Sequence, residues 1–212
     1  MTRARIQLAA IDLDGTLLRT DGSISARTRA ALAAAADGGV TVAIASARSP
    51  RSVRDLAADL ALGGRSPDWP RPEGSFTPCD ALAFGRPLTK LLARHADAPL
   101  EQLYEHALDA AGESASVTLA GSAFVELAAP GVTKGAALAG LARRLGVAAA
   151  DVVAFGDQPT DAPMLAWAGT GVAVANAHPA VLAVADDVTA SNDADGVARW
   201  LERALAPDTA RR

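Results

Sequence analysis

Short apolar segments alternate with alanine-rich segments along most of this chain, and polar residues follow directly after several of the apolar ones. Of the 212 residues, 50% are hydrophobic, and alanine supplies much of that share. Short apolar runs bounded by turn residues indicate buried strands, whereas alanine-rich stretches that begin at Ser or Thr and end at Gly favour helices. This alternation predicts an α/β fold, in which helices flank a parallel sheet.

The predicted strands and helices form a Rossmann-like core. The sequence predicts core strands over residues 6–11, 40–45, 152–155 and 171–175, and core helices over residues 25–36, 134–145, 161–168 and 195–206. Ser25 is the expected N-cap of the first helix, which ends at Gly38-Gly39. A further helix is expected to begin at Ser49-Pro50, with the proline at its first position.

An inserted α+β module is expected to interrupt this core. Between residues 63 and 78, Gly, Pro, Arg and Ser dominate, which indicates a linker or long loop. The next segment predicts one helix over residues 99–111 and two short strands over 117–119 and 123–127. We therefore expect a discontinuous core, residues 1–66 and 131–212, and a linker with a small module at 67–130.

Two pairs of carboxylates follow strands of the predicted core. Asp12 and Asp14 come at the end of the first strand, where alternation directs them to the same side, and Gly15 then opens a turn. Asp157 and Asp161 follow the strand at 152–155. An acidic turn, or an acid at a helix N-terminus, explains either pair alone. Together, at the carboxyl ends of parallel strands, they predict a Mg²⁺ site.

Two further polar residues are candidate phosphate ligands. Ser46 ends the second strand, where a hydroxyl and neighbouring backbone N–H groups can hold a phosphate oxygen. Lys134 lies in the first turn of a helix whose expected N-cap is Thr133, and a cation there opposes the helix dipole unless an anion is held nearby. An ordinary polar residue and a solvated lysine are the structural alternatives. Arg48, Arg51 and Arg54 are interpreted as a solvated helix face, with contact to an anionic substrate as the alternative, and the three histidines are interpreted as structural or surface residues.

Charge and composition exclude several classes of partner. The net charge of −4 argues against a nucleic-acid surface, which needs clustered positive charge. No apolar run approaches the roughly 18 residues of a membrane span, so no membrane partner is expected. The single cysteine, Cys79, cannot form an internal disulfide, and a cytoplasmic, reducing location is expected. The sequence leaves the oligomeric state open.

The chain resembles the haloacid dehalogenase-like hydrolases, and most closely their Cof-type phosphatases. Four motifs carry this resemblance in family order: Asp12-Leu13-Asp14-Gly15-Thr16, Ser46 with Arg48, Lys134 within Gly131-Val132-Thr133-Lys134-Gly135, and Gly156-Asp157 through Asp161. The resemblance covers nearly the whole core, whereas the inserted module matches poorly and is similar to a cut-down version of the family cap.

The resemblance implies a Mg²⁺-dependent phosphatase that acts on small phosphomonoesters, such as sugar phosphates. Asp12 is implied as the nucleophile that forms an aspartyl-phosphate, and Asp14 as the general acid and base. Lys134 is implied as a catalytic and phosphate-binding residue, with Ser46, Ala47 and Thr160 as further phosphate-binding positions. The implied metal ligands are Asp12, the backbone carbonyl of Asp14, Asp157 and, directly or through other ligands, Asp161.

Two substitutions depart from the family pattern and keep alternative functions open. Ala47 stands where glycine is usual, and Thr160 stands where asparagine is usual. These changes and the reduced cap favour, as one alternative, a catalytically weak binding or regulatory protein. The other alternative is a phosphotransferase or phosphomutase, which requires a site closed to water.

Overall fold

The computed structural model describes residues 6–48, 53, 56, 60, 90–120 and 124–206. The described strands are β1 (Leu8–Asp12), β2 (Thr41–Ala45), β3 (Lys90–Ala93), β4 (Ser116–Ala120), β5 (Phe124–Ala128), β6 (Val152–Gly156), β7 (Thr170–Val174) and β8 (Asp187–Thr189). Five of them form a parallel sheet in the order β2-β1-β6-β7-β8, and the other three form an antiparallel sheet in the order β3-β5-β4. The predicted α/β architecture is confirmed.

Six α-helices have defined bounds in the described chain. They are α1 (Ala26–Asp37), α2 (Leu100–Ala111), α3 (Lys134–Leu145), α4 (Ala162–Trp167), α5 (Pro179–Leu182) and α6 (Gly196–Leu205). Both predicted N-caps are present, since Ser25 accepts a hydrogen bond from the Thr28 N–H and Thr133 accepts one from the Ala136 N–H. α3 has the predicted bounds, and it ends at Gly146 in the left-handed conformation, φ 70°.

The two central strands of the parallel sheet form the middle of the hydrophobic core. Every residue of β1 and β6 is buried, as expected for strands that are covered on both faces. Phe155 of β6 packs edge-on against Trp200 of α6, with ring centroids 5.3 Å apart. Because β1 and β6 are neighbours and pair Ile11 with Phe155, their carboxyl ends bring Asp12 and the residues after Gly156 together.

The chain divides into two compact units, Met1–Gly64 with Thr133–Arg212, and Arg65–Val132. The second unit contains the antiparallel sheet and α2, and its Lys90 Nζ donates to Glu126 Oε2 across the β3–β5 pair at 2.8 Å. The function of this unit as a cap stays a prediction.

Two strands of the described chain were not predicted from the sequence. β3 is a four-residue strand, and β8 is a three-residue strand at the edge of the parallel sheet, so both are too short to show a clear period. The expected linker at 63–78 and the expected helix start at Ser49-Pro50 lie outside the described residues. None of the helices in the described part of the chain combines the length and apolar character needed to cross a membrane.

Candidate active site

Three buried aspartates meet at the carboxyl edge of the parallel sheet. Asp12 is the last residue of β1, and Asp157 follows the last residue of β6. Asp161 ends the 3-10 turn Pro159–Asp161 that leads into α4. One carboxylate oxygen of each lies within 4.8 Å of the others, and the three residues are 5%, 3% and 0% exposed. The predicted convergence of the two strand ends is therefore observed.

Lys134 at the start of α3 bridges two of these acids. Its Nζ donates to Asp12 Oδ1 and to Asp161 Oδ1, each at 2.5 Å. The Thr133 cap fixes the first turn of α3 and so directs the lysine toward the acids. An anion beside the helix N-terminus, which the position of Lys134 predicted, is thus supplied by the protein itself.

Burial dominates the electrostatics of this cluster. The pKa of Asp12 is raised to about 7, first by burial and then by the charge of Asp161, against the opposing effect of Lys134. Burial also raises the pKa of Asp157, despite the hydrogen bonds that it accepts from Gln158 and Thr16. Burial alone would lower the pKa of Lys134, but the charges of Asp12 and Asp161 hold it above its ordinary value.

The Asp161 carboxylate accepts hydrogen bonds from three donors. Oδ1 accepts from Lys134, while Oδ2 accepts from the backbone N–H groups of Asp157 at 3.1 Å and Gln158 at 3.0 Å. A Cβ at position 156 would overlap the Asp161 side chain, so Gly156 is required for this close approach. Asp161 therefore fastens the loop after β6 and holds the lysine.

Asp157 is oriented by two neighbours. Thr16 Oγ1 donates to its Oδ1 at 2.9 Å, and Gln158 Nε2 donates to its Oδ2 at 2.7 Å. The backbone of Gly15 lies so close that a Cβ there would overlap the Asp157 carboxylate, and its φ of 81° also favours glycine. The turn after β1 thus helps to position the acid after β6.

The donor set fits a divalent cation. When all three acids are ionised, three buried negative charges face one lysine, and an excess of buried charge is costly without a counter-ion. Carboxylate oxygens are ligands that Mg²⁺ prefers. Burial is the first cause of the raised pKa values of Asp12 and Asp157, and the charge of Asp161 adds to both, so a cation bound here would favour their ionised forms.

The Asp14 side chain does not join the buried cluster. Its carboxylate is bound by Arg48, whose Nη2 donates to Oδ1 at 2.5 Å and whose Nε donates to Oδ2 at 2.9 Å. The expectation that alternation would direct Asp12 and Asp14 to the same point is wrong for the side chains, since β1 ends at Asp12 and Gly15 turns the chain. Asp14 and Arg48 lie on the solvent side of the site.

The predicted phosphate ligands lie at two strand ends. Ser46 directly follows β2, is half-buried and accepts a hydrogen bond on its Oγ from the Arg48 N–H at 3.1 Å. Ala47 is exposed in the following bend, and Thr160 is half-buried in the 3-10 turn before α4. The interpretation of Arg48 as part of a solvated helix face is wrong, because its partner is Asp14; Arg51 and Arg54 lie outside the described residues.

Sequence reasoning missed the residues that hold the turn after β1. Asn176 lies two residues after the end of β7. Its Nδ2 donates to the Gly15 carbonyl at 2.8 Å, and its Oδ1 accepts from the Asn192 N–H at 2.9 Å. Asn192 donates from Nδ2 to the Leu18 carbonyl at 2.9 Å. A polar residue after a third parallel strand was the available signal for Asn176, and Thr16 belongs to the first motif, whereas Asn192 had no signal.

Comparison with known proteins identifies a family. A family model of haloacid dehalogenase-like hydrolases matches residues 9–66 and 80–201. A solved haloacid dehalogenase-like hydrolase from Bacteroides thetaiotaomicron superposes with a TM-score of 0.78 at 23% identity, over 94% of this chain and 99% of that one. At that identity the likeness shows the fold.

Two curated relatives carry phosphatase names. The 5-amino-6-(5-phospho-D-ribitylamino)uracil phosphatase of Bacillus subtilis is 29% identical, over 92% of this chain and 94% of that protein. The phosphoglycolate phosphatase of Methanopyrus kandleri is 39% identical over 115 residues, which are 54% of this chain and 49% of that protein. The second alignment therefore spans about half the length of that relative.

These matches agree with the features of the site. The expectation of a haloacid dehalogenase-type phosphoric monoester hydrolase is confirmed at the level of the family. All four motifs lie within the residues that the family model matches, and the Cof-type resemblance agrees with that model. The chain therefore belongs to the haloacid dehalogenase-like hydrolase family, in its Cof-type branch.

Proposed function

We propose that this protein is a Mg²⁺-dependent phosphatase that hydrolyses small phosphomonoesters through an aspartyl-phosphate on Asp12. The observation that carries the proposal is the placement of Lys134 Nζ at 2.5 Å from both Asp12 and Asp161, inside a buried cluster of three acids. Phosphoryl transfer depends mainly on positioning and charge neutralisation, and this cluster supports both.

Mg²⁺ is the proposed ion because the available donors are carboxylate and carbonyl oxygens. Asp12, Asp157 and the backbone carbonyl of Asp14 would hold it. Asp161 is assigned mainly to fastening Lys134 and the loop after β6, since three donors already occupy its carboxylate. When bound, the ion neutralises negative charge and lets an anionic nucleophile approach a phosphate.

In the first half of the reaction, a carboxylate oxygen of Asp12 attacks phosphorus. The bond between phosphorus and the ester oxygen breaks, and the leaving oxygen takes a proton from Asp14 to become an alcohol. Lys134 stabilises the negative charge on the transferring phosphoryl group, because its ammonium already lies against the nucleophile. The products of this step are the alcohol and an aspartyl-phosphate.

In the second half, the Asp14 carboxylate accepts a proton from a water molecule as the water oxygen attacks phosphorus. The bond between phosphorus and Asp12 breaks, which releases inorganic phosphate and restores the Asp12 carboxylate. Asp14 is protonated again and ready for the next substrate. One side chain thus serves as acid and then as base.

Ser46, the backbone at Ala47 and Thr160 are proposed to hold phosphate oxygens together with Lys134. Ser46 and Thr160 lie after β2 and β6, the two strands that flank β1. Hydroxyl and backbone N–H donors at such positions suit a phosphate group. The Ser46 hydroxyl accepts from Arg48 and keeps its own proton for donation.

A small phosphorylated metabolite is the proposed class of substrate, with sugar phosphates included. The two relatives are named for phosphoglycolate and for a phosphoribityl compound, and both names denote phosphate esters of small polar molecules. We also propose a cytoplasmic location, which rests on the single cysteine, Cys79, a residue outside the described ones.

Hydrolysis of p-nitrophenyl phosphate by wild type and Asp12→Asn, with Mg²⁺ or EDTA, tests the proposal. We expect turnover that requires the metal and is abolished in the folded Asp12→Asn protein. An active Asp12→Asn protein would overturn the assignment of the nucleophile. If wild type is inactive toward a panel of phosphoesters but binds one tightly, the alternative of a binding protein is correct. Transfer to an added sugar acceptor instead of water would favour a phosphotransferase.

A further inference from the structure

Arg48 and Asp14 form a bidentate ion pair at the mouth of the site. Both oxygens of the Asp14 carboxylate accept from the guanidinium, at 2.5 Å and 2.9 Å. The two side chains are 44% and 55% exposed. The pair thus faces solvent, unlike the buried contacts between Lys134 and its two acids.

This pair conflicts with the proposed work of Asp14. A general acid must bring one carboxyl oxygen against the leaving oxygen of the substrate. In the structure both oxygens of Asp14 are held by Arg48, so the pair must open before Asp14 can act. Solvent-exposed ion pairs contribute little to stability, and the pair can therefore open without a large cost.

A cleft beside the pair has room for the leaving group of a small substrate. Its volume is about 480 Å³, and Asp14, Arg48, Arg19, Thr20 and Asp193 are among the residues that line it. Arg19 forms an ion pair with the half-buried Asp195 and donates three hydrogen bonds to its carboxylate. Among the described residues that line the cleft, Arg48 is thus the cation whose partner is an exposed carboxylate.

The Arg48 guanidinium already binds a carboxylate in the planar, two-pronged geometry that suits this group. The hydrogen bond to Asp14 raises the pKa of Arg48, and the charges of Asp14 and Asp12 add to this effect. The Asp14 carboxylate that Arg48 binds follows the proposed nucleophile Asp12 by two residues, so an anion that replaced Asp14 on Arg48 would lie at the mouth of the proposed reaction centre.

We propose that Arg48 binds a carboxylate of the substrate, which displaces Asp14 and frees it to protonate the leaving oxygen. The preferred substrates are then phosphomonoesters with a carboxylate close to the ester oxygen. This inference rests on the proposed phosphatase function and deepens it.

Two substrates of similar size test the inference, 2-phosphoglycolate with a carboxylate and 2-hydroxyethyl phosphate with a neutral hydroxyl. We compare kcat/KM for both in wild type, Arg48→Gln, Arg48→Lys and the control Arg27→Gln, whose exposed partner Glu202 lies on α6. Wild type is expected to prefer 2-phosphoglycolate by roughly 2–5-fold, the modest contribution of one solvent-exposed ion pair. The ratio falls to near one in Arg48→Gln, recovers in part in Arg48→Lys and is unchanged in Arg27→Gln.

Three results separate the possible failures. Equal kcat/KM for both substrates in wild type would overturn the inference, and so would equal losses on both substrates in a folded Arg48→Gln protein. In either case p-nitrophenyl phosphate turnover would leave the phosphatase function standing. Absence of turnover with all three phosphoesters would instead overturn the proposed function, and the inference with it.

Discussion

Three aspartates and one lysine determine the charge balance at the carboxyl edge of the sheet. Lys134 contacts Asp12 and Asp161 directly, and Asp157 lies beside them in the same cluster. Removal of the lysine charge and titration of Asp12 are each expected to have a measurable effect.

Replacement of Lys134 by methionine is expected to lower kcat roughly 10²–10³-fold, a loss typical of one donor that stabilises transition-state charge. Methionine keeps the length of the side chain and removes its charge. Steady-state hydrolysis of p-nitrophenyl phosphate measures the effect, and Arg27→Met, which replaces an exposed residue of α1 paired with Glu202, is the control. Similar losses in the two variants would contradict the role given to Lys134.

The stability of the metal-free protein is expected to fall as the pH rises. The pKa of Asp12 is raised from 3.8 to about 7, so the folded state binds a proton more tightly than the unfolded chain between these values. The free energy of unfolding therefore decreases across this window, by at most about 1.4 kcal/mol per pH unit for one group. Added Mg²⁺ is expected to restore stability at the upper end.

Urea denaturation in EDTA at about pH 5 and about pH 7 measures this dependence. Asp12→Asn removes the titrating group, and its stability is expected to change less between the two conditions. If the free energies of unfolding of wild type and Asp12→Asn change by the same amount between the two pH values, the Asp12 carboxyl is not the source of the pH dependence.

At the scale of the element, the N-terminus of α3 combines a structural and a functional part. Thr133 caps the helix, and Lys134 follows in the first turn. Thr133→Ala is expected to lower the free energy of unfolding by about 1 kcal/mol and also to lower kcat, because the first turn carries the lysine.

Ser25→Ala provides the matched control for this prediction. Ser25 caps α1 in the same way, by accepting from the Thr28 N–H, and α1 carries none of the proposed catalytic residues. A similar loss of stability with unchanged kcat is expected. Equal kcat losses in both variants would mean that the effect of Thr133→Ala comes from general destabilisation.

The helices with clear caps were predictable, and the short strands were not. α3 has a threonine cap, a continuous run of helix-forming residues and a left-handed glycine at its end, so its bounds followed from local rules. β8 has three residues, Asp187, Val188 and Thr189, and only its pairing with β7 makes it a strand. That pairing is a tertiary contact, which local sequence patterns do not contain.

At the scale of the whole molecule, side chains distant in sequence fasten the segment after β1 to the C-terminal part of the core. Arg19 binds Asp195 through both carboxylate oxygens, and Thr20 donates to Asp193 from its backbone N–H and its hydroxyl. Asp195 has a left-handed backbone, φ 58°, which asparagine also tolerates. Asp195→Asn therefore removes the ion pair and keeps the turn.

Asp195→Asn is expected to lower the free energy of unfolding by about 1 kcal/mol, because the pair is half-buried and its hydrogen bonds are charge-assisted. Arg27→Gln breaks the exposed Arg27–Glu202 pair and is expected to cost less than about 0.5 kcal/mol. Denaturation by urea compares them, and a larger loss in Arg27→Gln would contradict this ranking.

The location of the site was predictable, but the partner of Asp14 was not. Parallel strands bring their carboxyl ends to one edge, so Asp12, Asp157 and Asp161 could be assigned to one place from the sequence. The contact of Arg48 with Asp14 depends on how the chain turns after β1 and β2, where no periodic pattern applies. Thr16 contacts Asp157 and Asn176 contacts Gly15 from segments that follow strands. Periodic patterns do not predict these contacts either.

The aspartyl-phosphate is tested by a rapid acid quench of wild type during turnover of p-nitrophenyl phosphate with Mg²⁺, followed by mass spectrometry of the proteolytic peptides. We expect the added mass of one phosphoryl group on Asp12 in the peptide that contains it, and none in the same peptide from Asp12→Asn. Rapid turnover with phosphate on another residue, or on no residue at any quench time, would contradict an aspartyl-phosphate at Asp12.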